Sequence, residues 1–269
     1  MTNKSGIKVA WVTGASSGIG EALAIELSNK GYHLILSARN NEQLFRVSKR
    51  CNQSIDSFIL PFDLSDTNAF PTIVQQAIGF KNRIDVLINC GGISQRAAVH
   101  ETSPEVLRRI MEVNFFSHAL LSKELLPFFR QQGFGKFVVM SSLAGKFGFF
   151  LRSSYAASKH ALHGFFEALR LEETENNISV LMVCPGYIKT PISLNALDGS
   201  GNKHAKSDLN QEKGMPAEKL AKIVFHAMEN NKREIVVGGK EIIPAYLKRF
   251  FPALFYSLVS KLDPRKSHA

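Results

Sequence analysis

Cysteine is scarce in this chain, and the three present, Cys51, Cys90 and Cys184, are far apart, odd in number and without metal-ligand spacing. That pattern argues against a disulfide framework and suits buried thiols in a reducing compartment. The eight histidines share no ligand spacing with carboxylates, so no metal is expected. His160 and His163, three residues apart, read as packing or interface residues. A long apolar run is also missing. The start, MTNKSGIKVAWVTG, passes through polar residues straight into a strand-like segment, without the apolar region of a signal peptide, and a cytoplasmic location is expected. No Pro/Ser-rich linker, repeat or low-complexity tract divides the 269 residues, which implies one catalytic unit over residues 1–243 and a C-terminal extension over 244–269. Nucleic-acid motifs are absent too. The net charge of +10 is scattered, except that the extension carries Lys248, Arg249, Lys261, Arg265 and Lys266 against Asp263 alone, so nucleic-acid binding is not expected.

What the chain does have is the balance of a folded globule, 45% hydrophobic and 21% charged. Short β-branched runs alternate with segments of helical period. Strands are expected over Val9–Thr13, His33–Ser37, Ser57–Leu60, Val86–Asn89, Lys136–Ser141, Ser179–Cys184 and Glu234–Val237. Helices are expected over Ile19–Lys30, Asn41–Arg50, Ala69–Gly79, Pro104–Phe129, Ser154–Glu175 and Pro216–Asn230. The alternation implies an α/β fold, a single Rossmann-type doubly wound parallel sheet of about seven strands with helices on both faces. Ligands of such a sheet bind outside the carboxyl ends of its strands. Two regions stand outside the alternation: a polar segment from Ser193 to Gly214 and the aromatic-rich tail after Ile243.

The first strand ends in Thr13-Gly14-Ala15-Ser16-Ser17-Gly18-Ile19-Gly20 and runs into a helix. Glycines there admit a pyrophosphate to the backbone, and the free N–H groups of the helix start attract its charge, so Gly14, Ser16, Ser17, Gly18, Ile19 and Gly20 are candidate dinucleotide contacts. The second strand ends in Ser37-Ala38-Arg39-Asn40. A carboxylate there would select the NAD ribose, whereas Arg39 can pair with the 2′-phosphate of NADP, so NADP(H) is expected to be preferred and NAD(H) to remain usable.

Tyr155 and Lys159 open a helix at a spacing of four, on one face and one turn apart. A phenol with a pKa near 10 exchanges protons poorly at neutral pH, and a neighbouring ammonium that lowers it makes exchange with a carbonyl or alcohol feasible. Thirteen residues earlier, Ser141-Ser142 places hydroxyls at a strand's carboxyl end.

With these elements the chain resembles the short-chain dehydrogenase/reductase family up to about Val237. The family's glycine motif matches Gly14 to Gly20, its Asn-Asn-Ala-Gly element matches Asn89-Cys90-Gly91-Gly92, and its helical asparagine falls on Asn114. Its serine falls on Ser142, its Tyr-x-x-x-Lys motif on Tyr155 and Lys159, and its Pro-Gly element on Pro185-Gly186. The resemblance implies that Ser142 polarises the substrate oxygen and that Tyr155 exchanges the proton. Lys159 would lower the tyrosine's pKa and hold the nicotinamide ribose, and Asn114 would position a water. It further implies cofactor contacts at Asp63, Leu64, Asn89, Gly91, Pro185, Gly186, Ile188 and Thr190. Two departures stand out: Cys90-Gly91 where Asn-Ala or Ala-Ala is usual, and Ser17 where many NADP-preferring relatives carry a basic residue, leaving Arg39 to supply the preference.

Phe147, Phe149 and Phe150 can line an apolar pocket or pack in a core, and the segment Ser193–Gly214 reads as a mobile cover. An NADPH-linked carbonyl reductase, reversible as an alcohol dehydrogenase on an apolar ketone or secondary alcohol, is the reading these features support. A sugar-nucleotide epimerase or dehydratase would need a longer substrate domain, and a non-catalytic dinucleotide sensor would not need the intact Asn114, Ser142, Tyr155 and Lys159 set. A homo-oligomer, dimer or tetramer, is expected. In the tail, apolar pairs recur every four residues from Tyr246-Leu247 to Leu258-Val259, with Pro252 set to kink or split the helix. This stripe can pack in an oligomer, cover a neighbouring subunit's pocket or rest on a membrane surface.

Overall fold

The computed structural model describes residue 6, residues 8–206 and residues 208–262. The rest of the polar N-terminal start, and Asp263, Arg265 and Lys266 of the tail charge cluster, lie outside the described residues.

Seven parallel strands form the central sheet: β1 (Val9–Thr13), β2 (His33–Ser37), β3 (Ser57–Ile59), β4 (Val86–Asn89), β5 (Gly135–Met140), β6 (Ile178–Pro185) and, after a two-stranded ribbon of β7 (Ile188–Lys189) and β8 (Met215–Pro216), β9 (Glu234–Val237). Their order is β3-β2-β1-β4-β5-β6-β9. All seven strand segments read from the sequence are present, with ends shifted by at most one residue. The runs of β1, β2, β4, β5 and β6 are almost wholly buried, as a parallel sheet covered on both faces requires, while the edge strands β3 and β9 are partly exposed. Ala10 and Val12 of β1 point into one apolar layer, against α1 (Gly18–Asn29), while Val9 and Trp11 point into the other. The Trp11 indole N–H, buried at 0% exposure, donates to Ser37 Oγ at 2.9 Å.

Helices α2 (Asn41–Arg50), α3 (Phe70–Gly79), α4 (Pro104–Met111), α5 (Ser117–Gln132), α6 (Ser153–Glu172), α7 (Leu209–Glu212) and α8 (Ala217–Glu229) complete the alternation. The expected helix Pro104–Phe129 is not continuous: a π-helical turn, Glu112–Phe116, separates α4 from α5. One residue more per turn at that point turns Asn114 inward to full burial. The tail forms α9 (Ile243–Phe250) and α10 (Pro252–Val259), broken at Pro252 as its missing N–H requires.

The order reverses between β1 and β4, so their carboxyl ends flank the crevice where a ligand binds in this class of sheet. Over it runs the segment 193–206, stitched down by the Arg96 N–H donating to Leu197 O at 2.8 Å and the Leu197 N–H donating to Ser94 O at 2.9 Å.

Candidate active site

A cavity of about 570 Å³ occupies that crevice. Gly14, Ser16, Ser17, Gly18, Ile19, Gly20, Arg39, Asp63, Leu64, Gly91, Tyr155, Lys159 and Thr190 all line it. Its shape suits a dinucleotide because its floor admits no side chains. Gly14 has φ +67°, and a Cβ there would meet Gly91 Cα at 2.7 Å; Gly18 has φ +59°, and a Cβ would meet Thr190 Cγ2 at 3.1 Å. Ser17 precedes α1 without a side-chain cap, so the first amide groups of this helix stay free for an anion.

At the mouth, the Arg39 side chain is 66% exposed and its Nη1 lies 4.0 Å from Asp63 Oδ2. Partial burial pushes the Asp63 carboxyl up, but the Ser65 amide and hydroxyl and the Arg39 charge outweigh it and hold the group below the usual range. Asp63 is therefore an acceptor anchored by its own loop, with Ser65 N at 2.9 Å and Ser65 Oγ at 2.8 Å.

Deeper in, Lys159 Nζ donates to Met140 O at 2.8 Å and lies 5.7 Å from the centroid of the Tyr155 ring. Burial draws Lys159 down to about 8. Burial also raises the Tyr155 phenol above 10, opposed by a hydrogen bond with Ser142 and by the charges of Arg152 and Arg96. The expectation that Lys159 depresses the tyrosine differs from what is found: its ammonium is turned to the end of β5, and the charges acting on the phenol are two arginines absent from the motif reading. Ser142, in extended backbone, caps a 3₁₀ turn by accepting from the Ala144 N–H at 3.1 Å.

Asn114 accepts from the Ile93 N–H at 2.8 Å and donates to Ile93 O at 2.9 Å and Ser158 Oγ at 3.1 Å. It clamps the loop after β4 to α6, so its carboxamide is engaged by protein groups. Asn89, Pro185, Gly186 and Ile188 stand behind the cavity wall. Asn89 donates to Ser122 Oγ at 3.0 Å while its buried Oδ1 has no protein partner, Gly186 N donates to Val237 O at 2.7 Å, and Ile188 is packed in the core. Behind Gly91, buried His118 presents Nε2 to Gly91 O at 2.7 Å. Burial, and then the Lys159 charge, press its pKa to about 3, so the ring is neutral and Nε2–H donates.

Sequence reasoning missed Arg109 and Val113, five residues and one residue before Asn114, Ile192 just ahead of the covering segment, and Asn195 and Lys203 within it, all on the cavity wall. The phenylalanines divide. Phe147 packs under the tail with Leu143 and Phe255, whereas Phe149 and Phe150 line a second cavity of about 610 Å³ with Ala97–His100 and His160. Among the described residues, one trio has the donor types for a cation, His163, Cys184 and Glu234. Lys146 already meets its demand, with Nζ 2.6 Å from Glu234 Oε2 and 3.4 Å from His163 Nδ1.

Comparison with known proteins decides the family: residues 8–200 match the family model described as short chain dehydrogenase. The chain belongs to the short-chain dehydrogenase/reductase family. Among curated relatives, the dehydrogenase/reductase SDR family protein 7-like of Drosophila melanogaster is 39% identical over 260 residues, 94% of this chain and 80% of that protein. Dehydrogenase/reductase SDR family member 7B of Xenopus laevis is 36% identical over 271 residues, covering 97% and 83% respectively. A short-chain dehydrogenase structure from Streptomyces avermitilis superposes with a TM-score of 0.79 at 28% identity, over 96% of each chain. This short-chain dehydrogenase/reductase is therefore an oxidoreductase of a family that uses a nicotinamide dinucleotide.

Proposed function

We propose that this protein is an NADP(H)-dependent carbonyl reductase, reversible as an alcohol dehydrogenase, acting on a ketone or secondary alcohol with an apolar body. The observation that carries the reading is that Tyr155, hydrogen-bonded to Ser142, and Lys159 line the same cavity as the Gly14–Gly20 turn and Arg39. The names of the relatives, dehydrogenase/reductase, agree with it.

The glycine turn and the start of α1 would hold the pyrophosphate, Arg39 the 2′-phosphate, Asp63 the adenine end, and Lys159 and Thr190 the nicotinamide end. When bound, the reduced nicotinamide supplies a hydride to the carbonyl carbon. The chain's own groups manage the oxygen and its proton. The Ser142 hydroxyl donates to the carbonyl oxygen and polarises it. Burial keeps the Tyr155 phenol protonated at neutral pH, ready to release its proton to the developing alkoxide. The charges of Arg152 and Arg96 stabilise the phenolate left behind. In the reverse direction the phenolate accepts the alcohol proton. We also infer peripheral membrane contact through the exposed face of α9 and α10, and assembly as a homo-oligomer.

Oxidation of NADPH and NADH followed across apolar ketones and aldehydes tests the function. Losing a charged phosphate contact lowers affinity about tenfold to a hundredfold. NADPH is expected to bind more tightly than NADH by that factor in the wild type, and Arg39→Ala is expected to remove the difference. Equal affinities in the wild type would refute the cofactor reading.

A further inference from the structure

Two arginines stand beside Tyr155 with a single carboxylate between them. Arg152 immediately precedes α6, three residues from the tyrosine, and Arg96 lies on the loop after β4. A bridge between Ala97 and Arg152, and Gln95 Oε1 accepting from the Ser154 N–H at 2.8 Å, hold these two stretches together. Both side chains are withdrawn from water, at 11% exposure for Arg96 and 14% for Arg152. Their charges reach the phenol. Among the described residues their one ion-pair partner is Asp208, whose Oδ2 is 2.9 Å from Arg152 Nη2 and 3.4 Å from Arg96 Nη2. Arg96 also donates to Ser94 Oγ at 3.0 Å and Gln95 O at 2.7 Å.

Two guanidinium groups against one carboxylate leave a positive charge in a partly desolvated place, which is costly without a further anion. The consequence is visible on Arg96, drawn down to about 10 by burial and by the charge of Arg152. Asp208 itself immediately precedes α7, on the chain after the covering segment 193–206, rather than on the sheet or its flanking helices. A latch for that segment needs one arginine; the second is surplus to it.

We propose that Arg96 and Arg152 receive an anionic group of the substrate, a carboxylate or a phosphate, next to the carbonyl that Tyr155 serves, and that Asp208 holds their forks apart from water until the substrate displaces it. Planar guanidinium forks match both oxyanions, which a lysine pair would do with less directionality. The substrate class becomes a ketone with an apolar body and an anionic group. This rests on the carbonyl-reductase reading given above.

The test uses the full chain with NADPH and ketones paired by skeleton: a keto carboxylate with its methyl ester, and a keto phosphate monoester with its free alcohol. In the wild type, kcat/KM is expected to favour the anionic member of at least one pair by about tenfold or more, the usual effect of a charged hydrogen bond, and the pair showing it identifies carboxylate or phosphate. Arg96→Gln and Arg152→Gln are each expected to lower that ratio about tenfold by the same reasoning. Asp208→Asn is expected to lower KM for the anionic member, because a competitor has gone; a residue that merely fastens the segment would instead worsen both members. Anionic and neutral members used equally by the wild type, or arginine substitutions that slow both equally, would overturn the proposal. If no ketone is reduced, the carbonyl-reductase reading fails on its own, and the anion site is judged by calorimetric titration of glutarate and of inorganic phosphate into the NADPH-saturated protein. Binding lost in Arg96→Gln, with thermal unfolding unchanged in cooperativity, supports the site; no binding of either anion to the wild type removes it.

Discussion

Lys159 and Tyr155 sit one helical turn apart, and burial acts on them in opposite senses because it disfavours whichever form is charged. The phenol is kept protonated, while the ammonium is weakened to about 8. In the proposed reaction Tyr155 gives the one proton and Lys159 is needed charged at the nicotinamide end, so kcat/KM for reduction is expected to fall as pH rises through about 8, where Lys159 discharges. Replacing the group with one that stays charged, in Lys159→Arg, should remove that descending limb wherever activity survives; a pH profile unchanged by the substitution would assign the limb elsewhere. Tyr155→Phe is expected to abolish turnover while retaining the fold and cofactor binding, because only the proton donor is gone. Steady-state turnover of a ketone that the wild type reduces, set beside dinucleotide titration, checks it. The lysine's effect on stability has the opposite trend. Between its folded value of about 8 and its ordinary value of 10.5 the unfolded chain binds more protons, so this residue makes the fold more stable as pH rises across that window.

At the scale of elements, the tail shows two faces. Phe255 is 2% exposed and packs on Phe147, with ring centroids 5.4 Å apart, while Leu247, Ala245 and Val259 cover the same patch. The inward face of the stripe is thus satisfied by its own chain. The outward face is not: Ile243, Tyr246, Phe250, Phe251, Leu254, Tyr256 and Leu258 are exposed, Phe250 at 65% and Phe251 at 62%. Among the described residues no helix is long and apolar enough to cross a membrane. Lys248, Arg249 and Lys261 beside this face favour an anionic surface. Full-length protein is expected to sediment with anionic liposomes at low salt and to be released by salt, and a chain ending at Ile243 is not. If the truncated chain changes oligomeric state instead, subunit packing is the better account. Phe255→Ala empties a buried aromatic site and is expected to destabilise the docked tail by about 3 kcal/mol, the low end for such truncations, read as faster proteolysis within α9 and α10.

For the whole molecule, stability in acid follows from a residue far from solvent. His118 is fully buried and neutral, with a pKa near 3 against 6.5 when unfolded. Its folded value is depressed, so the unfolded chain takes up a proton first, and stability is lost as pH falls from 6.5 towards 3. The slope attributable to one such proton is about 1.4 kcal/mol per pH unit. Denaturant unfolding between pH 7 and 4 should show it, and His118→Gln, which keeps a donor for Gly91 O, should flatten it. An equal slope in both proteins would place the acid sensitivity in other groups.

The sequence by itself determined the seven-stranded alternation, the glycine turn, the Tyr155–Lys159 pair and the break at Pro252, because each depends on neighbours within a few residues: strand period, helical spacing, a missing N–H. The π turn at Asn114, the Lys159 bond to Met140 O and the neutral state of His118 were decided only by the tertiary structure, since each depends on groups brought together across the sheet. The same holds for Arg96, Arg152 and Asp208. Arg96 and Arg152 lie 112 and 56 residues from Asp208 along the chain, and no local pattern records that their separate stretches bring these charges into one desolvated place, where a low dielectric makes the imbalance felt.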